Sequence, residues 1–145
     1  MAVDPRTLGW FSRALNHEMA AVQQYLAQSV LARLWGDAAL SQRLHAEALE
    51  ELGHATQLIE QQIRLGVAPC AGQLPVARLG RHAEDLLAHD RRLEENAVQI
   101  YGDALIHARR LRDEPSAILF EKLLRQEREH LEKLGHVTLE GKPHG

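Results

Sequence analysis

The chain has 145 residues, 17 basic against 20 acidic side chains and a formal charge of −3, a length that encloses one ordinary core. The two signs are interleaved, which excludes the basic patch or tail of a nucleic-acid binder, and no apolar run reaches the ~18 residues of a membrane span. Aromatics are scarce while Ala, Leu, Glu, Arg and Gln dominate, the composition of long helices rather than sheets. Met1-Ala2-Val3-Asp4-Pro5 lacks the regions of a signal peptide, and the lone Cys70 has no internal disulfide partner. A cytoplasmic location is expected.

Four helices are expected, at about 5–35, 38–65, 82–112 and 114–136, in a single domain spanning 1–145. Asp4-Pro5 supplies a cap and a proline at the first helical position, and Gly36 stops the helix they open. Asp37 caps the second helix, which ends at Gly66. The stretch from Gly66 to Pro75 has loop composition. A third helix starts near His82, and Asp113-Glu114-Pro115 breaks the chain before the fourth.

Loop length sets the topology. The first and last connections are short, so each joins an antiparallel pair. The middle connection, about 66–81, can stretch to ~50 Å, whereas a helix of ~27 residues is ~40 Å long. It can therefore run the length of the molecule. The fold class expected is all-α: a four-helix bundle with one long crossover between helices two and three, and no fifth helix.

The chain also repeats itself. Glu18-Met-Ala-Ala-Val-Gln-Gln-Tyr25 and Glu94-Glu-Asn-Ala-Val-Gln-Ile-Tyr101 match at five of eight positions, at an offset of 76. The same offset carries Glu51 onto Glu127 and His54 onto His130. Such self-similarity implies two similar helix pairs related by a pseudo-two-fold axis. Residues three apart on a helix share a face, so Glu51 with His54, and Glu127 with His130, each point at one spot. Despite nine histidines, these are the only Glu-x-x-His spacings in the chain. One Glu from each of two helices and a Glu-x-x-His from each of the other two is the donor set of a di-metal carboxylate bundle. Carboxylates suit iron or manganese, each imidazole adds one firm nitrogen, and four carboxylates balance two divalent ions.

Other residues take lesser parts. Tyr25 and Tyr101 each follow a ligand Glu by seven residues, on the same face. Each is either a packing tyrosine or a hydroxyl bonded to a ligand carboxylate of the paired helix. Glu50 and Gln126, related by the same offset, are expected to reach His130 and His54 respectively, because a metal-bound imidazole gives its other N–H to an acceptor. The alternative for both is ordinary surface. Glu47, Glu50, Glu95 and Glu129 are assigned partly to exposed background, Trp10 and Trp35 to packing, and Cys70 to no chemistry.

From Leu15-Asn16-His17-Glu18 to about Leu134, the chain resembles the bacterioferritins of the ferritin-like di-iron superfamily. The resemblance implies a ferroxidase centre of two iron ions per subunit, with manganese the other metal the donors suit. Glu51 and Glu127 would bridge, Glu18 with His54 would complete one position, and Glu94 with His130 the other. It implies oxidation of Fe²⁺ by O₂ or peroxide, iron storage in a 24-subunit shell, and a homodimer within it. Helices one and two are the paired faces of such dimers, and their outer positions here carry Leu26, Val30, Leu34 and Trp35. No membrane or nucleic-acid partner is implied.

Three departures qualify the resemblance. The family's haem-ligating Met is replaced by Leu52, so no haem is expected. A His often found inside the shell is replaced by Ala46. The tail from His136 to Gly145 is too short and too marked by Gly and Pro for the family's fifth helix. These departures favour an alternative: a dimeric di-iron or di-manganese peroxidase or oxidase that forms no shell. A DNA-protecting mini-ferritin is disfavoured, and a plain structural bundle leaves the repeated ligands unexplained.

Overall fold

Each helix begins and ends on identifiable chemistry. In the computed structural model, which describes the backbone of residues 3–140 and the side chains of residues 3–135, α1 spans Pro5–Leu34, α2 Ala38–Arg64, α3 Ala83–Arg110 and α4 Glu114–Glu140. The Asp4 carboxylate accepts from the Arg6 N–H at 2.8 Å, and Asp37 from the Leu40 N–H at 3.0 Å, so both caps satisfy donors the helix leaves open. His82 precedes α3 without such a side-chain bond. α4 continues about one turn past His136, and the expectation that no fifth helix follows falls on a tail outside the described residues.

The pairs α1–α2 and α3–α4 pack along their lengths, as the short connections require. α1 and α3 also face each other, and their contacts run in opposite directions: Thr7 meets His107, and Tyr25 meets Glu94. α2 and α4 touch far less. The crossover climbs beside α1 from its lower half upward. Gln23 donates to the Pro75 carbonyl and Gln28 to the Arg78 carbonyl, while Gln24 accepts from the Arg78 N–H. These bonds settle main-chain polar groups that a long unstructured segment would otherwise leave open.

Two apolar clusters fill the interior. One holds Phe11, Leu15, Leu58, Phe120 and Leu123, with the two phenyl rings 4.8 Å apart between centroids. The other holds Ala21, Tyr25, Leu44, Ala48 and Leu86. In α1 they meet between Leu15 and Ala21, and in α2 between Ala48 and Ala55. Glu18 and Glu51 fall in those gaps. The layer of carboxylates and histidines therefore lies at mid-height between two mainly apolar clusters.

Three helices end alike. Beyond α1 the Asp37 N–H reaches back to the Ala32 carbonyl, beyond α2 the Val67 N–H to Gln62, and beyond α3 the Asp113 N–H to Ala108. This closure needs a left-handed residue. Gly36 (φ 85°) and Gly66 (φ 81°) supply it after α1 and α2, but Arg112 (φ 56°) does so after α3. A side chain in that region costs roughly 1–2 kcal/mol, partly offset by the smaller unfolded-state entropy of a non-glycine residue. Arg112→Gly is expected to stabilise the protein by about 0.5–1 kcal/mol in urea denaturation. An unchanged or lower midpoint would refute this account of the α3 terminus.

Candidate metal centre

The polar layer brings all six sequence-predicted ligands together. Glu18 comes from α1, Glu51 and His54 from α2, Glu94 from α3, and Glu127 and His130 from α4. All are buried, the four glutamates at 0–1% exposure. Both imidazoles turn Nδ1 inward, and their rings stack at 5.7 Å between centroids. The Glu51 carboxylate spans the pair: Oε1 is 3.1 Å from His130 Nδ1, and Oε2 is 3.4 Å from His54 Nδ1. Glu127 Oε1 sits between the same two nitrogens, at 3.0 Å from His54 and 3.3 Å from His130. Glu18 and Glu94 flank this centre, on the His54 and His130 sides respectively.

The tyrosines resolve the choice left open by the sequence. Tyr25 donates to Glu94 and Tyr101 to Glu18, each at 2.6 Å and each from the opposite helix. Glu50 lies against His130 Nε2. Its repeat mate departs from expectation: the Gln126 side-chain oxygen has no hydrogen-bond partner, so the bond to His54 is not made.

Glu47 corrects the sequence reading. It is not exposed background but half-buried, with Oε2 at 3.7 Å from His130 Nδ1. Asp90, unremarked in the sequence, is fully buried and accepts from Gln24 at 3.0 Å. Helical spacing could have found both, since Glu47 precedes Glu51, and Asp90 precedes Glu94, by four residues on the same face. His17 is largely enclosed near Glu51 and Glu127, in a cleft of about 610 Å³ between α1, α3 and the crossover that also carries Arg13 and Arg78.

Burial and mutual charge set the protonation. Burial, then the charge of Glu51, pushes the Glu18 carboxyl well above the usual range; burial, then Glu51 and Glu127, does the same for Glu94. Burial would also raise Glu51 and Glu127, but bonds from neighbours that include both histidines outweigh it and hold them low. Burial opposes the imidazolium form of His54 and His130, yet the surrounding carboxylates prevail and raise them to about 12 and about 11. Two imidazolium ions thus stand against the Glu51 and Glu127 carboxylates, while Glu18 and Glu94 are biased toward protonation. Burial likewise lifts Asp90 to about 7, against the amides of Gln24 and Gln28.

The donors fit a pair of divalent ions. Ligand atoms of Glu18, Glu51, His54 and Glu127 lie within 4.8 Å of one another, and so do those of Glu47, Glu51, Glu94 and His130. Glu18 Oε2, Glu51 Oε2, Glu94 Oε2, Glu127 Oε1 and His54 Nδ1 are buried without a hydrogen-bond partner. Orphaned acceptors at that depth are costly, and a bound cation satisfies them together.

Known proteins agree with this architecture. The ferritin-like domain family matches residues 11–140. Bacterioferritin of Mycobacterium leprae (strain TN) is 27% identical over 134 residues, covering 92% of this chain and 84% of that protein. Bacterioferritin of Brucella melitensis biotype 1 is 29% identical over 134 residues, covering 92% and 83%. A solved structure of Rhodobacter capsulatus bacterioferritin superposes with a TM-score of 0.89 at 28% identity, covering 94% of this chain and 85% of that one. It was described with a metal-free dinuclear site and a haem iron in a crystallographic special position. With its four helices, single crossover and mid-bundle layer of carboxylates and histidines, the chain belongs to the ferritin-like domain family, and within it is similar to the bacterioferritins.

Proposed function

We propose that the chain is a di-iron ferroxidase of bacterioferritin type, oxidising Fe²⁺ with O₂ or peroxide for iron storage and detoxification. The observation that carries the proposal is the convergence of Glu18, Glu51, His54, Glu94, Glu127 and His130 on one buried spot, with their unpartnered atoms turned inward. Glu51 and Glu127 would serve both ions, Glu18 with His54 would hold one, and Glu94 with His130 the other. Two iron ions held there supply the one-electron chemistry that no side chain of this site can.

The protein's own part is positioning and charge. Tyr25 and Tyr101 hold Glu94 and Glu18 by their hydroxyls, fixing which carboxylate oxygen is free. Glu50 does the same for His130 through Nε2, which leaves Nδ1 for the centre. Apolar clusters above and below exclude bulk water, so the carboxylates act in a medium where their attraction for a cation is strong. The equivalent position to a haem-ligating Met is Leu52, exposed on α2 and without a sulfur, so the proposal includes no haem.

The outer faces of α1 and α2 show Leu26, Val30, Leu34, Trp35, Leu49, Leu52 and Ile63 to solvent. A homodimer would cover them, and a 24-subunit shell would extend the same contact. No described helix is long and apolar enough to cross a membrane, and a cytoplasmic place suits the proposal. Manganese suits the same donors. Ala46, exposed where an inner-wall histidine would stand, keeps open a second reading as a dimeric peroxidase or oxidase without a shell.

Fe²⁺ added anaerobically and then exposed to air is expected to give an absorbance break at about two ions per chain. Glu51→Ala and Glu127→Ala should lose most of the oxidation rate, since each serves both ions, while Glu18→Ala keeps partial binding. A break at one ion, or full activity in Glu51→Ala, counts against the proposal.

Metal loading should also expel protons. His54 and His130 are held as imidazolium ions at neutral pH, burial biases Glu18 and Glu94 toward their protonated forms, and each group must be deprotonated to bind a cation. About two protons per chain from the histidines, and more from any protonated Glu18 and Glu94, should appear in calorimetry repeated in buffers of different ionisation enthalpy. Because protons compete with the metal, affinity should rise as pH rises from 5 to 8. A pH-independent affinity would mean the ligands are already deprotonated.

Sedimentation of the purified protein is expected to show a dimer or a multiple of it. A monomer at micromolar concentration would contradict the assignment of the α1–α2 face.

A further inference from the structure

The internal repeat makes the two metal positions comparable residue by residue. Glu18 maps onto Glu94, Tyr25 onto Tyr101, Glu51 onto Glu127, and His54 onto His130. Two places that adjoin His130 break the match. Glu50 maps onto Gln126, and Glu47 maps onto Leu123. Leu123 is a fully buried residue of the apolar core, whereas Glu47 stands beside His130. The Glu18–His54 position has no counterpart of Glu47.

We infer that Glu47 is an additional ligand of the Glu94–His130 position, and that it makes this position the tighter of the two. The inference rests on the two-ion reading above and assigns a residue which that reading leaves unused. Geometry supports it directly. Ligand atoms of Glu47, Glu51, Glu94 and His130 lie within 4.8 Å of one another. Glu47 Oε2 approaches the inward nitrogen of His130, at 3.7 Å, not the outward one held by Glu50. Independent support comes from the atoms facing it. Glu94 Oε2, on a residue at 1% exposure and 3.9 Å from His130 Nδ1, has no hydrogen-bond partner, and neither does Glu47 Oε2 itself. Two orphaned carboxylate oxygens beside one imidazole nitrogen, with Glu51 Oε1 at 3.1 Å from the same nitrogen, make a set of donors that a cation would satisfy together.

The surroundings give Glu47 room to act. It borders a cavity of about 250 Å³ lined also by Tyr25, Leu87, Asp90 and Lys133. An ion at this position can thus keep one ligand that reaches toward the opening, which the Glu18–His54 position lacks. An extra carboxylate within a few ångströms, in a medium of low dielectric, favours a divalent cation there over its otherwise matched neighbour.

The test is a Co²⁺ titration of the metal-free, full-length protein by calorimetry, with anomalous diffraction of crystals at one equivalent to place the first ion. The wild type should bind in two steps, the first at Glu94–His130. Glu47→Gln, of the same shape, should weaken that step about tenfold or more and leave the other within about twofold. Glu47→Leu, which copies the residue at the matching place in the other half, should do the same and bring the two steps together. An unchanged first step in both variants overturns the inference. Equal weakening of both steps, or a first ion at Glu18–His54 in the wild type, does so as well. Fewer than two ions in the wild type would overturn the two-ion reading with it, and that result appears before any variant is made.

Discussion

Everything in this bundle is arranged around four carboxylates held in a dry layer at mid-height. An isolated buried carboxylate is so unfavourable that it takes up a proton or finds a cation. Here both remedies operate. Glu51 and Glu127 keep their charge against His54 and His130, while burial biases Glu18 and Glu94 toward protonation and each accepts a tyrosine hydroxyl. The two imidazolium ions offset the charge of two carboxylates within the layer.

That balance asks for rigidity. The tyrosine–glutamate bonds cross between α1 and α3, so they fix the register of those helices as well as the carboxylates. Sliding either helix by one turn, ~5.4 Å, would break both bonds and open the pairing of the layer. The apolar clusters above and below resist such a slide, since their side chains interdigitate at crystal-like density. Packing thus holds the ligands at the cost of burying them, and hydrogen bonds of about 1.5–3 kcal/mol each to charged groups offset part of that cost.

Much of this could be read from the chain. Helix ends followed from Asp4-Pro5, Asp37, Gly36 and Gly66, because capping is local chemistry. The convergence of the six side chains followed from two Glu-x-x-His spacings and a shared offset, because helical period maps spacing onto a face. Fourfold convergence multiplies such weak signals. Where the reading failed, the deciding term was tertiary. Glu47 and Glu129 are alike as glutamates in acidic helices, but only Glu47 meets His130. Gln126 shares a register with Glu50, yet the approach that joins Glu50 to His130 has no equivalent for Gln126 and His54. A pseudo-two-fold repeat specifies backbone places well and side-chain partners only where both copies keep matching chemistry.

The crossover shows how the same constraint reaches beyond the layer. A connection of this length contributes little packing, so its path needs polar anchors. Gln24 and Gln28 provide them, and both are buried residues of α1 that face the crossover and α3 together. Gln24 joins the Arg78 N–H to the Asp90 carboxylate, and so links crossover, α1 and α3 in a single chain of bonds. Asp90 lies one turn before Glu94, and Gln24 directly precedes Tyr25, whose hydroxyl holds Glu94. The anchor of the crossover and the support of the centre are therefore adjacent on both helices. A crossover held at Gln24 fixes the mutual height of α1 and α3 at the place where the tyrosine must meet its carboxylate. The one long loop of the fold thereby acts as a strut for the centre.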